Sequence, residues 1–255
     1  MTGWAWVSRD VVWEQLLKKE LVTSCPKMPA FDPWPFSVTL SPEACGTDRD
    51  HWQRLLTFEE RKRGYKDGFR LLFCPWKLID TADTLFLSLN PGGDPSGKMM
   101  RIASDERGNS YLVEREARHS PIADQYRQFC DFIGKNPEEV LTGTLVPFRT
   151  ASWNAARDRP NISIATPFWK DVLAAGKIRR IFCMGRDVET ATFALTGARL
   201  TVEVPANWGN LSIRRYAGRG DVQVFGLLHL STYKMFGRRQ CPPQLAEPMG
   251  IEAMV

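Results

Sequence analysis

The segment TLFLSLNPGGDPSGK, residues 84–98, sets the frame for the rest of the chain. Its apolar run, 85–89, has the length and composition of a buried strand, and the turn Asn90-Pro91-Gly92-Gly93 ends it abruptly. Proline fixes φ and lacks an N–H, and glycine tolerates positive φ, so ladder pairing stops there and the backbone bends. In an α/β protein, ligands collect outside the carboxyl end of such a strand. An ordinary strand-to-loop exit has the same local signature, so the decision falls to the flanking sequence.

Downstream the pattern repeats. Ser120 and Pro121 open a helix in which Ile122, Tyr126, Phe129 and Ile133 follow at helical spacing until Gly134. A strand over 141–146 exits at Pro147-Phe148-Arg149, and Thr166-Pro167 start a further helix that Gly176 closes. The strand 178–184 is turned by Gly185 into a helix ending at Gly197. A shorter strand over 200–204 precedes a last long one, 222–228, which runs into His229. Helices alternating with β-rich runs imply βαβ units, and the expected fold is an α/β three-layer sandwich with a mainly parallel central sheet flanked by helices. Parallel strands end along one edge. Asn90-Pro91-Gly92, Thr144 and His229-Leu230-Ser231 are therefore expected to share a crevice.

The first 75 residues read differently. A helix is expected over 8–22, with Ser8 as its cap. CPKMPAFDPWPFS (25–37) holds too many prolines for regular structure and is expected to be pinned by Phe31, Trp34 and Phe36. A second helix over 49–65 ends in Arg61-Lys62-Arg63, read as a solvated face. Residues 1–75 are thus expected to form a helical N-terminal extension packed on an α/β domain of 76–255.

Composition narrows the partners. The 255 residues are 43% hydrophobic and 25% charged, as in soluble globular proteins, and the net charge of +5 tilts weakly towards polyanions. The six cysteines are widely spaced, without C-x-x-C or close Cys/His pairs, which argues against structural zinc or an iron–sulfur cluster. Several sit in apolar stretches, as reduced thiols of a cytoplasmic protein do. Neither a signal-like start nor an apolar run of about 18 residues is present, so no membrane span is expected.

A phosphate loop competes for the opening segment. Gly92 through Gly97-Lys98 fits G-x-x-x-x-G-K, but Met99 stands where a Ser or Thr is needed for Mg²⁺. The sequence after Lys98 also lacks the helix that should face the phosphates. A P-loop-like nucleotide enzyme stays as an alternative.

LFLSLNPGG at the first strand end, and LLHLSTYKMF far downstream, resemble the paired motifs of the uracil-DNA glycosylase superfamily, G-x-N-P-G and H-P-S. GTLVPFRT (143–150) and IRRIFCMGRD (178–187) resemble its intervening strands, so the likeness spans 84–237 in order. The resemblance implies a monofunctional DNA glycosylase, a monomer without metal or cofactor. Such an enzyme flips a uracil or other modified pyrimidine out of DNA and hydrolyses its N-glycosidic bond in base-excision repair. By position, Asn90 would orient the water and His229 would hydrogen-bond the pyrimidine O2. Leu89, Pro91 and Gly92 would hold the base, with Tyr111 or Phe148 stacking on it. Ser231 and Thr232 would bind phosphates, and Lys234, Met235 and Phe236 would form the wedge entering the duplex. Asp94 would be a stronger base than Asn90 or a loop cap. Trp153-Asn154 is expected either to pack or to line the DNA groove, and Trp169 to pack.

The departures point to substrate. Ser88 replaces the first-motif glycine, Leu230 the proline after the histidine, and Thr144 the asparagine that reads the pyrimidine edge. A hydroxyl is shorter and more adaptable than an amide. The implied pocket is less selective for uracil or shaped for a larger base; a non-catalytic DNA-binding protein of the same fold also fits.

Overall fold

The computed structural model describes residues 48–92, 100–117 and 120–237, together with Ala246. The chain divides into two units, Met1–Ala44 and Cys45–Val255, and the second carries everything that follows. The helix expected at 8–22 and the proline-rich segment at 25–37 lie outside the described residues.

In chain order the strands are β1 (Phe69–Arg70), β2 (Thr84–Ser88), β3 (Arg101–Ile102), β4 (Leu141–Thr144), β5 (Arg180–Met184), β6 (Arg199–Pro205), β7 (Ser212–Ala217) and β8 (Gln223–Leu227). The helices are α1 (Arg49–Lys62), α2 (Ser110–Ala117), α3 (Pro121–Phe132), the single turn α4 (Ala155–Asp158), α5 (Ile162–Ala174) and α6 (Arg186–Thr196). Six strands form one sheet in the order β4-β2-β5-β8-β7-β6, and β1 pairs with β3 separately. The first four of the six are mutually parallel; β7 and β6 continue antiparallel.

The layers follow from strand periodicity. All five residues of β2 are buried, as in a parallel strand covered on both faces. Leu85 and Leu87 join Ile181, Cys183 and Val224 on one face, against Trp52 of α1 and Phe168, Trp169 and Val172 of α5. Phe86 joins Phe182, Phe225 and Leu227 on the other, against Tyr126, Phe129 and Cys130 of α3. Two cores separated by one sheet make the three-layer α/β architecture. Cys74, Cys130 and Cys183 are free thiols within these cores, and burial pushes the pKa of each up to about 12.

The flank of β4 is closed by an earlier piece of chain. Phe73 N donates to Thr142 O (2.8 Å) and Thr144 N to Leu71 O (2.9 Å), with Leu72 bridged antiparallel to Gly143. Trp52, Leu56, Phe69, Leu71, Leu72 and Cys74 are fully buried. The boundary expected after residue 75 therefore moves to Ala44/Cys45: residues 48–75 supply core rather than an extension.

At the opposite end, Glu189 of α6 is completely buried and receives the Arg214 guanidinium through Nε (2.6 Å) and Nη2 (2.9 Å), along with the Tyr216 hydroxyl. This carboxylate joins α6 to β7 across Gly226 of β8, where a Cβ would lie 2.5 Å from Glu189 Cδ. The helix expected to open at Thr166-Pro167 starts a turn earlier, at Ile162. Asn154 caps α4, a 3-10 turn (Arg159–Asn161) feeds directly into α5, and Pro167 is carried inside the helix. No helix among the described residues is long and apolar enough to cross a membrane.

Candidate functional site

The parallel order brings the carboxyl ends of β4, β2, β5 and β8 to one edge, so Thr144, the Asn90 turn, Gly185 and His229 follow one another along it. With strands about 4.8 Å apart, Asn90 and His229 are separated by two spacings, about 10 Å of sheet.

Asn90 is half-buried, and its Nδ2 donates to the Thr150 hydroxyl at 2.9 Å. That bond fixes the amide plane and leaves Oδ1 as the open acceptor among the described residues. Leu89 and Pro91 are likewise half-buried, and Leu89 O accepts from Val146 N at 2.8 Å, extending the β2–β4 ladder past the strands. Gly92 stands at φ +54°, the left-handed region that the turn requires, with open space around it. Asp94, Gly97, Lys98 and Met99 lie outside the described residues. Two residues beyond them the chain is strand β3 and the next helix waits until Ser110, so the helix that a phosphate loop opens is missing at Arg101–Ile102.

His229 follows β8 with exposed surface, and its Nδ1 meets the Ser231 hydroxyl at 2.6 Å. Protein packed around the ring displaces water and holds its pKa below the ordinary imidazole value. Where Ser231 donates to Nδ1, the neutral ring carries its proton on Nε2, the atom left without a partner among the described residues. The turn that aims the ring is closed by Thr232 N (3.0 Å) and Tyr233 N (2.9 Å), both donating to His229 O. Ser231 is thereby engaged with His229 rather than held free for a phosphate; Thr232 and Lys234 are exposed.

Met235 and Phe236 are 0% and 2% exposed, and Phe236 packs on Phe129 at 5.4 Å and Phe132 at 5.5 Å. Both belong to the core. The apolar wedge expected at 234–236 thus reduces at the surface to Lys234, because the α3 core claims the two apolar side chains first.

The ring candidates separate clearly. Tyr111 is buried among Phe73, Phe86 and Tyr126, and Ser88 at the end of β2 works against the upward push that burial gives the pKa of its hydroxyl. Ser88 Oγ donates to Gly143 O at 3.1 Å, which accounts for a serine where the resemblance has glycine. Phe148 stacks on Tyr65 at 4.7 Å and 12°, fully buried. Tyr111 is the ring associated with the β2 end. Thr144 is fully buried, and its hydroxyl donates to Arg70 O at 2.9 Å while its carbonyl accepts from Trp169 Nε1 at 3.0 Å. Its side chain is spent on the backbone of β1. Asn154 is committed to capping α4 through Ala156 N and Arg157 N, and Trp153 packs against the core.

Sequence reasoning missed Thr150 and Arg70, and it used Arg149 only as a landmark. Both arginines are nearly inaccessible beside Thr144 and Thr150. A signal did exist: Arg-Leu-Leu-Phe at 70–73 and Phe-Arg at 148–149 set a charge inside apolar runs. Among the described residues, no group of three His, Cys, Asp or Glu side chains is gathered so as to hold a metal ion. No protein-family pattern and no curated protein matches this chain.

Proposed function

We propose that this chain is a monofunctional DNA N-glycosylase of the uracil-DNA glycosylase superfamily, which flips a modified pyrimidine out of DNA and hydrolyses its N-glycosidic bond. One observation carries the reading. The parallel order β4-β2-β5-β8 ends Asn90 and His229 on a single edge, with Asn90 Oδ1 and His229 Nε2 both uncommitted among the described residues.

Breaking the bond from C1′ to the base nitrogen leaves positive charge on the sugar and sends the electron pair into the base. Water then adds at C1′ and loses its proton to solvent. Asn90 Oδ1 accepts a hydrogen bond from that water and holds it in line. His229 Nε2–H donates to the pyrimidine O2 as negative charge collects there, a contact that strengthens towards the transition state. A neutral imidazole is the right donor, because it stabilises the departing anion without an equilibrium proton transfer. Thr232, Lys234 and the surplus of basic residues supply phosphate contacts. With the Thr144 hydroxyl occupied by Arg70 O, discrimination falls to the backbone and to Tyr111, which favours a substrate other than plain uracil.

The same occupancy of Thr144 favours a second reading, a non-catalytic DNA-binding protein. Duplexes and single strands carrying uracil and a panel of modified pyrimidines, followed by alkaline cleavage at abasic sites, separate the two. The glycosylase reading expects strand scission with at least one base, reduced about 10²–10³-fold in His229→Ala and Asn90→Ala. DNA bound with no base released from any duplex assigns the second reading. Near-full excision by both variants removes Asn90 and His229 from water positioning and base activation.

A further inference from the structure

Two guanidinium groups are buried beside the Asn90 turn, Arg70 with one long ion pair to Glu114 and Arg149 with no carboxylate partner among the described residues. Phe69 and Phe148 form an antiparallel bridge, closed by Arg70 N to Pro147 O (2.8 Å) and Arg149 N to Gly68 O (2.9 Å). Side chains alternate along a strand, so Arg70 and Arg149 both project to the face opposite the two phenylalanines and are diagonal neighbours. They are 2% and 4% exposed, and neither Nε has a hydrogen-bond partner among the described residues.

The partners present are weak. Arg70 Nη1 is 3.5 Å from Glu114 of α2, whose side chain is 35% exposed. Its Nη2 meets the Met100 thioether at 3.0 Å, and its Cζ stands 5.0 Å above the Phe73 ring. Asp105, the other carboxylate in range, has its oxygens engaged by Arg107 and Ser110. Among the described residues no carboxylate is paired with Arg149. Arginine does not escape burial by losing its proton. A buried charge with poor compensation is costly, and two like charges side by side cost more. An anion held between the two groups would offset that cost. Arg149 is directly followed by Thr150, which holds Asn90, and Arg70 O holds the Thr144 hydroxyl, so the pair borders the strand-end edge itself.

We propose that Arg70 and Arg149 form a buried phosphate-binding site at the edge of the Asn90 turn. Two planar donor forks suit the several oxygens of a tetrahedral phosphate better than the two of a carboxylate. The phosphate is either free in solution or carried by a nucleic-acid strand entering the edge. The inference shares its location with the glycosylase reading but does not depend on base release.

The test uses the full chain. Thermal unfolding is followed in inorganic phosphate and in sodium chloride at equal ionic strength, for the native protein, Arg149→Met and Arg149→Lys. In parallel, binding of a short single-stranded oligonucleotide lacking terminal phosphate is followed by fluorescence anisotropy across a salt series. A phosphate-specific rise of about 2–4 °C, lost in Arg149→Met and reduced in Arg149→Lys, upholds the site for free phosphate. If phosphate has no effect but Arg149→Met weakens oligonucleotide binding about tenfold and lowers the salt slope by about one, the phosphate comes from the strand. Should Arg149→Met fail to unfold cooperatively, Arg149→Lys and Arg70→Lys decide by the same two readouts. Absence of both effects in the native protein, or their full retention in the variants, overturns the proposal. Base release that survives this outcome leaves the glycosylase reading standing, and phosphate binding without base release leaves only this one.

Discussion

His229 is governed by what its two ring nitrogens face. Ser231 occupies Nδ1, and packing against the ring disfavours the charged form. The sign of the pH effect follows. The unfolded ring takes a proton near the ordinary value of 6.5, whereas the folded ring does so only at lower pH. Its contribution to stability is complete above that value and is lost as pH falls through the window between the two. On the glycosylase proposal, base release is expected to be flat above pH 6.5 and to decline below it as the ring gains its second proton. Ser231→Ala should lower the rate about tenfold at neutral pH while leaving DNA affinity nearly unchanged, the loss of one hydrogen bond to a positioned ring. Single-turnover base release over about pH 5–9, beside anisotropy titrations, checks both. A merely structural serine would change affinity and stability together and leave the pH profile where it was. The sequence showed His229 and Asn90 because each follows an apolar run into a turn. It did not show that Thr144 would donate to Arg70 O, since the β1 segment lies some seventy residues away and only the fold brings it alongside.

Tolerance to substitution varies sharply between elements. Gly143 lies in β4 under the Trp169 ring: a Cβ there would meet Trp169 Cη2 at 2.7 Å and Leu71 O at 2.8 Å. Backbone on one side and a buried indole on the other leave nothing able to yield. Gly143→Ala is expected to destabilise by about 2–3 kcal/mol, read from urea unfolding. Gly92 makes the contrast, since a Cβ there meets nothing and only its φ of +54° is penalised. Gly92→Ala should cost about 1–2 kcal/mol at most and act mainly on base release. The strands of the parallel half were legible because both faces are apolar. β7, SIRRYA, was not, because its buried Ile213 and Tyr216 are three residues apart and Arg214 is absorbed by a glutamate of another element. α2 was missed for a related reason: SYLVEREA is eight residues long, only its start is deeply buried, and Tyr111 is fixed by ring contacts from three other segments.

For the molecule as a whole, buried carboxylates make the fold sensitive to acid. Asp105 is 1% exposed; burial alone would raise its pKa, but hydrogen bonds from Arg107 and Ser110 and the nearby Arg70 charge hold it below the usual carboxylate value. Asp158 behaves alike: burial works upward and is outweighed by Arg157, the Asn154 N–H and the Tyr65 hydroxyl. Groups with lowered folded pKa values stabilise fully above the unfolded value of 3.8, and that stability disappears as pH falls through the folded ones. Cooperative acid unfolding is therefore expected below about pH 4, and Asp105→Asn should flatten this dependence while lowering stability at neutral pH. Circular dichroism between about pH 2 and 7 reads both. At this scale the α/β order was legible from alternating helix and strand patterns. The unit boundary was not, because the residues that seal the β4 flank, Phe69 to Cys74, carry no local sign of the strand they cover.

The three core thiols make the molecule its own recorder of opening. Cys74 and Cys183 lie on one side of the sheet and Cys130 on the other, each with a pKa pushed up to about 12 and hence almost no thiolate at neutral pH. Alkylation at these positions has to wait until the layer above them lifts. If the two layers part together, peptide mapping finds all three labelled at one rate. If the α3 side peels first, Cys130 leads, and the clock then tells which wall of the molecule gives way before the other.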